Sequence, residues 1–557
     1  MSIRAVILVL CLSPTTAGLI GAVIPATGWF APLGRSDFSI KPVIMFLDQP
    51  GIWSSIWLSG FTAITATLLS YVLAMFLLAS IYRNGRSGVL FRLISPLLSV
   101  PHITVAVGFL FLLQPSGWLI RLLSPWLTGW DRPPDLYIIP DEVGIGLIIA
   151  LTAKELPFLM LMGLSALSQI KVNDTLDQAS SLGYGTYSGW LYTVQPQLSS
   201  RMRLPVLIVL IFSVSVVDMA LVLAPSVPAP LAPRILEWFR DADLDFQFIA
   251  AVGAVAQLVL ALLCCLIWLL SGRMMTRLIR VLIYHGLRPN LSAWMCQTMR
   301  LAVFTVALLP CILSVLGLIS VTIWGFADIW RFPDSLPDDW GYRAWISSAD
   351  NMIVAGTNSL IIGLASSCLA VCLVIIWLEQ TASRRQSTIE SWLYIPLLLP
   401  QASFLFGLQI VLIWLRLDGL YITLIWVHML FVLPYVMLSL SGSWRQFDQR
   451  YTELSATLGA SQMKQFFRVK LPILLTPIMT AFAIGFAVSC ALYLPTVFAS
   501  NGRMITLTTE AVTLATSASR QALGVASFLQ MILPLIVFLC CDAIIRLRLK
   551  PFRHFRH

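Results

Sequence analysis

Apolar runs of twenty or more residues recur from one end of this chain to the other, and the polar residues collect in the gaps between them. Twelve such runs stand out, at roughly 5–30, 53–82, 93–115, 143–168, 202–225, 247–271, 301–325, 352–378, 392–415, 419–442, 473–497 and 522–545. Each is long enough to cross a hydrocarbon core of ~30 Å as a helix. Inside that core a chain must satisfy its own backbone groups, which leaves helices or a closed barrel. The pattern predicts an all-α polytopic membrane protein with about 12 transmembrane helices. The first run, Ala5 to Phe30, is too long for the core of a signal peptide and lacks a clear small-residue cleavage site, so it is read as a span.

Two of the polar gaps are copies of each other. One runs from Asp177 through Gln178, Ala179 and Gly183 to Pro196, and the other from Glu453 through Leu454, Ser455 and Gly459 to Leu471 and Pro472. In both, an acidic residue stands six positions before a Gly and that Gly thirteen before a Pro, at a constant offset of 276 residues. The Gly can take a positive φ and end a helix. A second short helix then carries an aromatic pair or its equivalent (Trp190 and Leu191; Phe466 and Phe467), expected to be exposed and suited to a groove on a partner protein, and the Pro suits the first turn of the following span. The likeness extends outward. Ser59 matches Ser359, Pro101 matches Pro400, and Leu-Pro-Phe at 156–158 matches Leu-Pro-Tyr at 433–435. Six spans separate the two islands, so the chain reads as two parallel six-helix repeats. These are a first half 1–271, a basic linker 272–300 that suits an amphipathic helix on the inner leaflet, and a second half 301–557.

Only 11% of the residues are charged while 58% are hydrophobic, and the formal net charge is +10. That excess needs no nucleic acid to explain it. With the N-terminus inside, 24 of the 36 Lys and Arg residues fall on one side of the membrane, among them Arg83, Arg86, Arg92, Arg273, Arg277, Arg288, Arg384, Arg385, Arg546, Lys550 and Arg556. The positive-inside rule therefore puts both termini and both islands in the cytoplasm. Of the 26 acidic residues, 17 fall on the other side, a solvated rim or a face for a soluble partner. None of the ten cysteines lies in an outer loop, and no zinc-type spacing occurs.

The islands resemble the EAA loop of binding-protein-dependent ABC importer permeases, Glu-Ala-Ala-x-x-x-Gly followed by Leu-Pro. Glu453, Gly459, Leu471 and Pro472 match it, as do Asp177, Ala179, Gly183 and Pro196 more loosely. The first copy departs with Asp for Glu, Gln178 for Ala and Gln195 for Leu, the second with Leu454 and Ser455 for two alanines. A fused chain with two such loops, 174–200 and 450–472, is similar to the subgroup that imports ferric iron or thiamine. The resemblance implies a type I-like permease in a bacterial inner membrane. It implies two copies of an ABC ATPase subunit gripping the islands, with ATP on those partners and no cofactor on this chain. It also implies an extracytoplasmic substrate-binding protein that delivers a small-molecule substrate.

Ionisable groups inside spans are functional candidates by default. Lys154 and Glu155 are neighbours in the fourth span, pointing about 100° apart on a helix. Carbonyls freed by Pro157 are available to Lys154, and a substrate contact or a structural ion pair with other helices both fit. Asp218 lies deep in the fifth span and either lines a polar pathway or bonds to hydroxyls on a neighbouring helix. His428 and His102 each sit in a span, where a lone histidine more often joins helices than binds a ligand; His428 is kept as a possible polar residue of the pathway. No metal site follows from them. The chain has no P-loop, no His-Glu-x-x-His and no partnered nucleophile, so it is read as a transport subunit and not an enzyme. An ion-gradient-driven secondary transporter using Asp218, Glu155 and Lys154 as relay groups is the alternative.

Overall fold

The computed structural model describes residues 3–30, 35, 37–84, 100–135, 139–286, 293–381, 388–517 and 519–553. The start of the third predicted span, 93–99, and the basic residues Arg86, Arg92, Arg288, Arg384, Arg385 and Arg556 lie outside the described residues.

Helices dominate. The first half contains α1 (Ile3–Ala26), α2 (Ile52–Asn84), α3 (His102–Leu113), α4 (Ile145–Leu167), α5 (Arg203–Ser215) and α6 (Asp245–Tyr284). The second contains α7 (Ala293–Phe326), α8 (Ala349–Thr381), α9 (Gln401–Trp414), α10 (Tyr421–Arg445), α11 (Leu475–Ala491) and α12 (Arg520–Arg553). Among the described residues, nine helices are long and apolar enough to cross a membrane singly, and three bent pairs raise the number to twelve. The twelve predicted spans and these helices correspond one to one.

The two halves share details as small as one hydrogen bond. The Leu231 backbone N–H donates to Ser59 Oγ at 2.8 Å, and the Leu507 N–H donates to Ser359 Oγ at 2.9 Å. Each N–H opens a short helix (Leu231–Arg240; Leu507–Ala515) that folds back against the bundle, where its first amide has no partner within its own helix. Replacing either Ser by Ala orphans a buried donor and should cost about 1–3 kcal/mol. Thermal unfolding of the two purified variants should show similar losses, because the two sites have the same geometry.

The halves are not packed as separate bodies. α1 lies on α9 of the other half, and α7 lies on α3. Glycine makes both crossings possible. A Cβ at Gly18 would run into the Phe404 carbonyl oxygen, and one at Gly407 into the carbonyl oxygen of Gly18. A Cβ at Gly21 would sit 2.7 Å from the Gly407 oxygen. At the other crossing, Cβ atoms on Gly108 and Gly317 would come within 2.9 and 2.8 Å of each other's backbone carbonyl carbons. Small residues let two backbones meet this closely inside a membrane. On the acidic face the joint is reinforced by Arg121. Its guanidinium is buried against Trp330, 4.7 Å from the ring, and donates to the Arg331 carbonyl at 2.5 Å and the Asp334 carbonyl at 3.2 Å. Those residues sit in the loop between α7 and α8, which holds a small antiparallel hairpin of Ala327–Ile329 and Asp339–Trp340.

The predicted linker helix is corrected. Gly272 to Tyr284 is the end of α6, which runs 40 residues without a break. At 1.5 Å per residue that is about 60 Å, twice the hydrocarbon thickness. Arg273, Arg277 and Arg280 therefore project beyond the core on a stalk and do not lie along its surface. Residues 293–300 already belong to α7.

Candidate functional site

The two islands, which follow α4 and α10 on the basic face, superpose in kind down to single bonds. In the first, the helix Val172–Ser181 ends at Gly183, whose φ is +81°. The Gly183 N–H donates to the Ser180 carbonyl and the Tyr184 N–H reaches back to the Ala179 carbonyl, at 2.9 and 3.1 Å. In the second, the helix Arg450–Thr457 ends at Gly459 with φ +78°. Its N–H donates to the Ala456 carbonyl and the Ala460 N–H to the Ser455 carbonyl, at 2.9 and 3.0 Å. This is the glycine-closed helix end that the sequence predicts. A single turn follows (Thr186–Gly189; Gln462–Gln465), then one widened π-type turn, Trp190–Val194 and Phe466–Lys470. Such turns are rare and concentrate at functional sites; here two occur at the 276-residue offset. The carboxylates of Asp177 and Glu453 are exposed, and neither forms an ion pair among the described residues.

Two expectations about the islands are corrected. Pro196 and Pro472 do not open the spans. They sit in short segments, Gln195–Arg201 and Leu471–Ile473, from which the chain bends by 61° into α5 and by 72° into α11. Pro205 and Pro477 explain the elbows. Each stands four residues after the last residue of the short segment (Arg201 and Ile473), has no N–H to offer that carbonyl, and its ring crowds it. The first segment is four residues longer, one helical turn, because nine residues separate its two prolines and five separate the second pair. The aromatic pairs are also not exposed as pairs. Trp190 is buried while Leu191 faces out, and Phe466 packs toward Trp444 while Phe467 is 58% exposed. One side chain of each pair anchors the island and the other is presented.

The anchoring differs between copies. Lys470 Nζ lies 2.5 Å from Glu379 Oε2 and 4.8 Å from the Trp444 ring, and Arg445 pairs with Glu390. The position matching Lys470 in the first copy is Val194, which is fully buried in an apolar cluster with Trp190 and Leu198. Ala179 is buried there too, whereas the helix Arg450–Thr457 buries no residue and leaves Leu454 and Leu458 exposed.

Between the halves lies a cavity of about 240 Å³. Lys154, Glu155 and Asp218 all line it, each more than nine-tenths buried. Lys154 Nζ donates to the Val100 carbonyl at 2.5 Å, two residues before α3. Asp218 is not deep in a continuous span. It opens the helix Asp218–Leu223 after the chain breaks at Val216 and Val217. His428 lies elsewhere. Its ring bridges Ser489 Oγ at 2.8 Å and Thr496 Oγ1 at 3.0 Å, joining α10 to α11 and to the helix Leu494–Ser500, and it does not line the cavity. His102 does line it, with its ring 4.5 Å from that of Phe212. The sequence signal for this was its position directly after Pro101, whose extended backbone precedes the first turn of α3. The remaining wall is aromatic and apolar, with Phe431, Tyr435 and Tyr493 from the second half. Among the described residues no group of three or more His, Cys, Asp or Glu side chains could hold a metal ion.

No family model matches the chain. It is 33% identical over 443 residues to the inner membrane ABC transporter permease protein YnjC of Escherichia coli K12, covering 79% of this chain and 78% of that one. It is 24% identical to the thiamine transport system permease protein ThiP of the same organism, over 79% of each chain. The ThiP protein of Salmonella typhimurium is also 24% identical, over 80% of this chain and 82% of its own.

Proposed function

The chain belongs to the ABC transporter permeases, and from that premise we propose that it forms the whole membrane pathway of an ATP-driven importer for a small solute. Two copies of a separate ATPase subunit grip the islands, and ATP is bound and hydrolysed there. A substrate-binding protein docks on the acidic face, and both termini lie in the cytoplasm of a bacterium. The observation that carries this reading is the repeated construction at Gly183 and Gly459: a glycine-closed helix, a widened turn and an elbow, twice, on the same face. Asp177, Ala179, Gly183 and Pro196, with Glu453, Gly459, Phe466, Phe467 and Pro472, are the residues assigned to ATPase coupling. Closure of the ATPase dimer moves the two short helices, and the elbows at Met202 and Leu474 convert that displacement into a tilt of α5 and α11. Rigid transmission through a straight helix is not available across bends of 61° and 72°.

A gradient-driven carrier is the competing reading, favoured by one fact: Lys154, Glu155 and Asp218 share a cavity. The two are separated by uptake in whole cells, with thiamine as the first solute to assay. Collapsing the proton and sodium gradients while ATP is maintained should leave uptake intact, and depleting ATP should stop it. The reverse result would establish the carrier.

A further inference from the structure

We propose that the two islands bind the same ATPase subunit unequally, the second as the strong docking site and the first as a weak one. This rests on the islands being the ATPase contacts; the inequality comes from comparing the two copies position by position.

The helix Arg450–Thr457 and its C-cap present Tyr451, Leu454 and Leu458, all three exposed. Their spacing of i, i+3 and i+7 puts them on one face, the form in which a helix enters a groove on a partner. At the 276-residue offset the first island has Thr175, Gln178 and Leu182, so only the last position keeps an apolar side chain. Thr175 is also turned inward, its hydroxyl donating to the Lys171 carbonyl at 2.7 Å. Met463 is exposed, whereas its counterpart Tyr187 is half-buried.

One residue pair explains why the second helix stands free. In the first island Gly189 lets the helix Val172–Ser181 lie close. A Cβ on Gly189 would come 3.3 Å from the Ala179 Cβ and 3.7 Å from a Leu176 methyl. The matching residue in the second island is Gln465, whose side-chain amide donates to the Ala460 carbonyl at 2.7 Å. The helix Arg450–Thr457 accordingly buries no residue, while its counterpart buries Val172 and Ala179.

The charges differ as well. Residues 172–192 contain Asp174 and Asp177 and no basic side chain. The matching residues 448–468 contain Asp448 and Glu453 with Arg450, Lys464 and Arg468. Two copies of one subunit offer the same surface twice, and that surface cannot be complementary to both signs. Burying one further leucine-sized side chain is worth about tenfold in affinity. Tyr451 and Leu454 are two such side chains that the first island lacks.

The test uses the full chain in lipid nanodiscs and the separately purified ATPase subunit encoded alongside it. Nucleotide is left out, so that ATP-dependent contact between the two subunits does not couple the binding steps. Mass photometry counts the subunits bound, and titration calorimetry gives the affinity of each step. The wild-type chain should bind two subunits with intrinsic Kd values at least about tenfold apart. Tyr451→Thr with Leu454→Gln gives the second island the first one's residues and should bring the two values within about threefold. The reverse exchange, Thr175→Tyr with Gln178→Leu, should tighten the weak step. Two equal steps in the wild type overturn the proposal and leave the importer reading standing. Exchanges that leave both affinities unchanged overturn it too, and would place the apolar stripe against lipid headgroups. Failure of the wild-type chain to bind any subunit removes the importer reading together with the proposal.

Discussion

A Gly459→Pro chain is expected to reach the membrane at normal levels and lose ATP-driven uptake to background. Gly459 has φ +78°, a value closed to proline, whose ring fixes φ near −65°. Proline also removes the N–H that donates to the Ala456 carbonyl at 2.9 Å, and it disfavours the near-helical backbone of Leu458 just before it. The helix Arg450–Thr457 then ends in the wrong direction, and the widened turn at Phe466–Lys470 no longer meets it at the same angle. Nothing lies within 4 Å of where a Cβ on Gly459 would be, so the damage is confined to the island and does not spread into the bundle. Gly459→Ala keeps the N–H and meets only the left-handed backbone cost of about 1–2 kcal/mol, so it should retain part of the uptake. Gly183→Pro should behave like Gly459→Pro. The checks are membrane abundance, co-purification of the ATPase subunit and initial uptake rate. Normal uptake by the proline variant would remove the island from the mechanism.

Gly407→Val is expected to yield almost no folded protein. The Gly407 Cα packs directly on α1, and a side chain there meets the Gly18 carbonyl and the Ala22 amide, both backbone atoms that cannot rotate away. Overpacking costs about 1–3 kcal/mol when side chains can adjust. Here two helices from opposite halves must separate instead, and total stability is only about 5–15 kcal/mol. Gly317→Ala, whose nearest contact would be 2.8 Å, should fold with a lowered melting temperature. Gly442→Ala in α10 is the control. Nothing lies within 4 Å of that position, so alanine should be neutral or stabilising by up to about 1 kcal/mol. Size-exclusion profiles and thermal unfolding of the purified chains give the ranking. A well-folded Gly407→Val protein would mean that the crossing is looser than described.

Much of this was legible from residue spacing. The 276-residue offset located both islands to the residue, because a helix closed by glycine depends on local backbone chemistry alone. The elbows were legible too, from Pro205 and Pro477, but Pro196 and Pro472 were read as the span openings in their place. The cavity was only half legible. The rule that ionisable side chains in spans are functional candidates picked out Lys154, Glu155 and Asp218, which line one cavity. It could not supply the Val100 carbonyl, 54 residues from Lys154 in sequence, or separate His102 in the cavity wall from His428 between helices. The crossed helices left no periodic signal at all, since a glycine in an apolar run looks the same whether it faces lipid or another backbone.

The exchange of first helices between halves sets the order in which this protein can be completed during its synthesis. α1 emerges from the ribosome first, yet the surface that receives Gly18 and Gly21 belongs to residues near Phe404 and Gly407. At about 5–20 residues per second, that partner follows tens of seconds later. Through that interval the oldest span has α6 of its own half to lie against, and its larger berth opens only when the last-made half arrives.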